Sequence, residues 1–402
     1  MKNILFGKIL ALLLLFCSSV VCGQNILFDG LWYAVNEDDP STVSAFKVKD
    51  KKRAVFDIPS SITYKEKSYR VVKIEKELFW QNESLRSVKI PNSVTSIGSC
   101  AFSGCENLRE VILGNSVKYI SSCAFSSCSS LEQIVLPESV VSIMNNAFFD
   151  CASLTHITIP NGVTTLGFGV FSYCTGLKSV AIPGSVKKIG SHAFDNCRNL
   201  NSVVIGEGVT TIGADAFAFC FSLRNVTIGS SVTKIGDRAF YDCIAVTQVH
   251  IGDLAAWCNI YFNSTVSNPM NSGAHLYLNG TRLTDLVVPA SVTELQDHSF
   301  YGCASLKSVS VGAAVTKIAY GAFEKCPALE KIVVAPGNKV YDSRNNCNAI
   351  IETAENKIVC DCKGTVIPPG VRKESEAEKA ERKRAENIRR GQMRAEMEHL
   401  LF

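Results

Sequence analysis

Residues 93–113 read SVTSIGSCAFSGCENLREVIL. The stretch ends in Leu108, Val111 and Leu113, and the step of two between the last pair is that of a strand with one buried face. It begins with a second apolar pair, Val94 and Ile97, and between the two lies Ala101-Phe102 with Cys105 three residues on. The same arrangement recurs every 23 residues, led by Leu85, Leu108, Leu131, Leu154, Leu177, Leu200, Leu223 and Val246, and again by Leu283, Leu306 and Leu329. Each unit reads L-x-x-[VIL]-x-[ILV]-[PG]-x-x-V-x-x-[IL]-x-x-x-x-F-x-x-C-x-x, and nine units keep both the Phe and the Cys in phase.

One unit is one loop of a coil. Pro or Gly ends its strand, because Pro lacks the N–H that a ladder needs. So short a unit cannot bury its apolar side chains alone. Stacking on its neighbours does so, each large side chain contributing about 1.5–3 kcal/mol. The expected fold is a repeat solenoid of the leucine-rich-repeat kind. It has a parallel β ribbon on one face and short strands, turns and helical pieces on the other. Coils at about 4.8 Å spacing make a rod or shallow arc on the order of 50 Å long.

The repeated blocks resemble the BspA-type leucine-rich-repeat family of surface proteins. So do HLYLNGTRLTDLVVPASVTEL from His275 and YDSRNNCNAIIETAENKIV from Tyr341. The resemblance covers about Ile58 to Val371. It implies an exported protein linked to adhesion and host-protein binding, and no enzyme.

Outside the array the composition changes. Residues 1–23 read as a secretory signal, with Lys2 and Lys8 before the apolar run Ile9–Phe16 and a cut after Gly23. Phe16 and Val21 precede Cys17 and Cys22, where lipoprotein processing wants a small residue. No other segment is long and apolar enough to cross a membrane. Residues 24–80 read as a β-rich cap ending in a degenerate first coil, in which Asn82 stands at the Cys position. The array is expected over 81–371, with an insertion at about 252–282, and residues 372–402 as a charged helical tail. Ile388, Met393, Met397 and Leu400 give the tail a partial seam for pairing with another helix.

The 402 residues carry a net charge of +4 and are 19% charged, which gives no footprint for nucleic acid. Seventeen cysteines would suit a disulfide framework in a small secreted chain. Here nine of them, Cys105 to Cys326, occupy one inward phase, which makes them small buried hydrophobes. Cys100 and Cys123 form a separate column of two, for which bridged and free states both stay open. Cys360 and Cys362 lack the further ligands of a zinc site. His156 and His250 lie four coils apart, so they cannot act on one atom. No cofactor and no catalytic or metal-binding residue is expected.

That leaves the outward ribbon positions and the insertion as the candidate ligand surface. It comprises Lys89, Ile112, Val135, His156, Thr158, Ala181, Val204, Thr227 and His250, with Trp257, Tyr261 and Phe262 from the insertion. A flat, low-charge surface of this kind suits a protein or glycan partner. The competing expectation is a structural envelope protein whose ribbon contacts nothing specific, its β-branched residues reflecting strand preference alone. For the insertion, the plainer reading is that its aromatics cover an irregular coil.

Overall fold

The computed structural model describes residues 24–319, 321–382, 384–385 and 388; the expected signal segment and most of the tail lie outside them. The chain winds into a parallel β-solenoid of about eleven turns. Each regular coil has three sides. One is the ribbon strand, for example Ser202–Ile205. The second is a two-residue strand such as Thr211–Ile212, built from the second apolar pair. The third is a run of turns carrying the Phe and the Cys.

The register confirms the repeat. Along the ribbon Val180, Val203, Val226, Val249 and Leu276 lie side by side. Along the second side Ile97, Ile120 and Ile143 do the same. All of these side chains are buried.

On the turn side no helix forms in the regular coils. Successive backbone donors alternate instead. Ala101, Ser103 and Cys105 N–H groups bond back to Gly98, Cys100 and Phe102 carbonyls of their own coil. Cys100, Phe102 and Gly104 N–H groups reach Ser122, Ala124 and Ser126 carbonyls of the next coil. Every donor in this stretch is thereby satisfied, as a buried backbone requires. The geometry needs two left-handed residues per coil, and non-glycine residues hold most of these places: Cys100 (φ 54°), Ser127 (φ 57°), Asp150 (φ 56°) and Phe219 (φ 57°) among them.

Inside the turn side, Phe79, Phe102, Phe125, Phe148, Phe171, Phe194, Phe217 and Phe240 stack at 5.0–5.4 Å between ring centroids. Phe56 begins the column edge-on to Phe79. The inward cysteines, Cys303 excepted, donate their S–H to the Phe carbonyl of the preceding coil, as Cys128 does to Phe102 at 3.2 Å and Cys174 to Phe148 at 3.1 Å.

The ribbon is not continuous. It is paired over Val55–Asp57, Ser87–Lys89 and Glu110–Ile112, then reduced to a single Gln133–His156 bridge. It resumes from Ser179 through Leu278 and again from Asp285 through Val334. The breaks coincide with a change in the residue that follows the strand, although Pro91 at the same place leaves Ser87–Lys89 paired with Val55–Asp57. Gly206 donates its N–H to the Ile182 carbonyl at 2.9 Å, and Asn279 donates to Ile251 at 3.0 Å. At the breaks this position holds Pro137, Pro160 and Pro183, which have no N–H to give.

Both ends are closed by antiparallel strands. At the start, Asn25–Phe28, Leu31–Val35 and Thr42–Val48 form a meander whose last strand pairs with Lys67–Ile74. That strand continues into the second side through Ile74 beside Ile97. At the far end, Tyr341–Asp342, Ala349–Glu352 and Lys357–Asp361 form an antiparallel sheet. The last parallel ribbon pairing is that of Lys331–Val334 with Ser308–Val311. After Val334 the chain turns back on itself through antiparallel strands. Residues 376–382 are helical. Ser375 caps them: its hydroxyl accepts from the Glu378 N–H, and Glu378 accepts from the Ser375 N–H.

Candidate ligand-binding surface

The strand alternation that buries Val203 and Ile205 turns Val204 out to solvent, 46% exposed. The same alternation exposes Lys89, Ile112, Val135, Thr158 and Ala181, and leaves Thr227 and His250 half-buried. His156 is exposed too, with Nδ1 2.9 Å from the Thr155 hydroxyl. The ribbon breaks divide this set. Ala181, Val204, Thr227 and His250 lie side by side on one paired sheet. Lys89 and Ile112 belong to the first segment, where Lys89 pairs with Asp57 at 3.4 Å. Val135, His156 and Thr158 fall in the gap.

The insertion is a coil in register, not a bulge. After the helix Leu254–Cys258, Tyr261–Phe262 pairs with Lys234–Ile235 on the second side. His275–Leu278 then pairs with Gln248–Ile251 on the ribbon. Trp257 and Phe262 are accordingly core residues, 1% and 2% exposed, in edge-to-face contact at 5.4 Å. The Trp257 indole N–H donates to the Ser299 carbonyl at 2.9 Å. Neither ring reaches solvent, which corrects the expectation that they contact a ligand. Their place inside follows from the break in the Phe column. Phe240 N–H bonds to Val266 where an Ala normally stands, so Ser267 takes the Phe position and the core needs other bulk. Cys303 shows the same defect, with Sγ beside the Ser305 hydroxyl and not on a Phe carbonyl. Tyr261 is half-buried and sits on the second side, away from the ribbon.

What the irregular coil does bring to the ribbon is Tyr277. Its ring stacks on His250 at 4.9 Å. Arg282 lies across a hairpin closed by Asn279 and Gly280, both at positive φ, and donates from Nη2 to the Tyr277 hydroxyl at 3.2 Å. Sequence reasoning passed over Tyr277 and Arg282. The signal was in the quoted HLYLNGT: alternation into an Asn-Gly turn marks a hairpin. The neighbouring His275 has its pKa lowered by burial and then by the Arg282 charge, which favours a neutral ring on an otherwise uncharged strip.

A second, partly exposed aromatic surface was also missed. On the turn side Phe149 lies 5.5 Å from Tyr173, and Phe219 lies 5.3 Å from Tyr241, over which the Arg238 guanidinium sits at 4.2 Å. Arg238 also pairs with Asp215 at 2.9 Å. These positions differ from coil to coil, so the repeat pattern averages them away.

The cysteine column is not reactive chemistry. Cys128, Cys151, Cys174, Cys197 and Cys220 are fully buried free thiols. Burial pushes Cys151 up to about 12 and raises Cys128, Cys174 and Cys220 well above the usual thiol range. Among the described residues no three His, Cys, Asp or Glu side chains are grouped to hold a metal ion. No helix among them is long and apolar enough to cross a membrane.

Stacked coils with a leucine-led ribbon and a turn-built back define a leucine-rich-repeat scaffold. The BspA-type leucine-rich-repeat region matches in six copies over residues 72–201, 187–265 and 271–354, and the chain belongs to that family. Among solved structures, a leucine-rich cell surface protein from Faecalibacterium prausnitzii A2-165 is 27% identical. The match covers 78% of this chain and 95% of that one, with a TM-score of 0.48. A leucine-rich-repeat protein from Bacteroides ovatus is 24% identical over 78% of this chain and 95% of that one, with a TM-score of 0.36. The T. pallidum leucine-rich-repeat protein is 27% identical over 56% and 91%, with a TM-score of 0.40. No curated protein matches the chain.

Proposed function

We propose that this chain is an exported, non-catalytic scaffold that binds a protein or glycan at a surface through its ribbon. The carrying observation is the strip Ala181, Val204, Thr227, His250 and Tyr277. It is set in register on one sheet, has no lysine or carboxylate along it, and is closed by the Arg282 hairpin. A fixed surface loses little side-chain freedom on binding, which favours affinity. Export is supported by the signal-like residues 1–23 and by what membership of the family implies. Attachment to the surface and release from it are both compatible with this reading.

The test places Arg at Ala181, Val204 and Thr227 of the full chain and measures binding to intact cells, matrix proteins and glycans. These side chains point outward, so folding is unchanged by circular dichroism. Binding falls at least about tenfold, about 1.4 kcal/mol, by bulk and charge on a neutral strip. Undiminished binding sinks the ribbon reading. A parent chain that binds none of these surfaces favours a structural envelope role instead.

A further inference from the structure

Cys100 and Cys123 stand apart from the other cysteines of the array. They occupy the first left-handed place of adjacent coils, at φ 54° and 56°. Their column runs from Glu77 through Cys100 and Cys123 to Asn146, so each sulfur has one sulfur neighbour and no competitor. Both are half-buried and free, and their coils are in register, with Ile97 beside Ile120 and the Cys100 N–H bonded to the Ser122 carbonyl at 3.0 Å. The coils here are held closely: Phe102 and Phe125, two residues on, stack at 5.0 Å. A coil spacing of about 4.8 Å falls inside the ~4.4–6.8 Å Cα range of a disulfide, and only a few tenths of an ångström separate it from the outer end of the usual Cβ range, about 3.5–4.5 Å.

The inward cysteines share this spacing but not this freedom. Cys105 and Cys128 are fully buried, and each S–H is committed to a Phe carbonyl. No oxidant reaches them, and pairing them takes a donor from a buried acceptor.

We propose that Cys100 and Cys123 are an oxidation site, closing a disulfide between adjacent coils when the chain meets a disulfide oxidant. The two thiols lose two protons and two electrons and form one S–S bond. The oxidant, a small-molecule disulfide or the active disulfide of an oxidoreductase, is reduced to two thiols and takes up both. The step occurs in the living host only where such an oxidant is present, so its physiological form rests on the export reading. The bond ties together the two coils at the end of the first ribbon segment, just before the break at Pro137.

The test uses the purified full chain with oxidised glutathione. Free thiols are then alkylated and the chain is digested after Lys and Arg. Cys100 and Cys123 fall in different fragments, residues 90–109 and 119–178, because Arg109 and Lys118 lie between them. The expected result is one linked pair of fragments in the unmodified chain and none in Cys100→Ser or Cys123→Ser. Each of these variants carries a glutathione adduct on its remaining partner. The oxidised chain melts several degrees above the reduced one, since the bond closes a loop of about 23 residues. Full alkylation or separate glutathione adducts at both cysteines of the unmodified chain overturn the proposal. Protein taken from the native host separates the two readings. A linked pair there supports both. A reduced pair there, with linkage in the purified chain, refutes oxidising export and leaves the site standing.

Discussion

At the scale of the residue, the repeat's consensus places do most of the structural work. Phe171 is fully buried, stacked between Phe148 and Phe194 at 5.4 Å on either side. Phe171→Ala opens a cavity that neighbours on both sides line, and it is expected to destabilise by about 3–5 kcal/mol, measured by urea unfolding. A loss below about 1 kcal/mol shows that the column can collapse around a gap. These positions were legible because phase alone identifies them. The left-handed places were not. Glycine usually announces positive φ, yet Cys100, Asp150, Tyr173 and Phe219 hold it here, since interlocking turns impose the conformation whatever the side chain. Counting Trp257 and Phe262 in the ligand surface failed for a related reason, while the plainer reading, that they cover an irregular coil, fits their burial. Aromatic clustering in an insertion signals a surface only if the core beneath is complete, and here the Phe column is interrupted at Ser267.

At the scale of the element, the position after the ribbon strand bears on whether neighbouring strands pair. The pattern written as Pro or Gly treats the two as equivalent stops, and the structure separates them. Ser202–Ile205, followed by Gly206, joins the preceding coil, whereas the coils that end at Pro137, Pro160 and Pro183 form no strand pair with the coil before them; Ser87–Lys89 pairs with Val55–Asp57 despite Pro91. Gly206→Pro removes the N–H that reaches Ile182, and a Cβ there meets that same carbonyl at 2.6 Å. The substitution is expected to cost about 3 kcal/mol and to raise hydrogen exchange selectively across 179–205, read by mass spectrometry. Uniform exchange across the array shows that the single bond does not govern pairing. Grouping Pro with Gly concealed part of this difference, and the paired strand before Pro91 shows that the residue alone does not decide it.

At the scale of the whole molecule, the coils depend on their ends. The antiparallel meander over Asn25–Val48 and the sheet over Tyr341–Asp361 cover the terminal coils, whose Phe56 and Ile332 are 2% exposed in the intact chain. Cutting the chain after Ala335 bares the last coil and its unpaired strand edge. The shortened protein is expected to self-associate at micromolar concentration, seen by analytical ultracentrifugation. A monomer of undiminished stability refutes the capping role of 341–361. The solenoid as a whole was readable because its period is strict. Its ends were less so, because a cap is defined by departure from the period and repeats nothing else in the chain.

The identical register from coil to coil has a consequence for inheritance. Ser179, Ser202 and Asn225 meet their neighbours through the same pairing at the same 23-residue step. An exchange between two gene copies offset by one unit therefore adds or deletes a whole turn, and both new junctions reproduce an interface that already exists. The length of the scaffold is thus open to change by recombination without passing through a misfolded intermediate. The irregular coil from Gln248 to His275 takes 27 residues for the same advance. It does not exchange with its neighbours, so it stays a fixed landmark within an array of adjustable length.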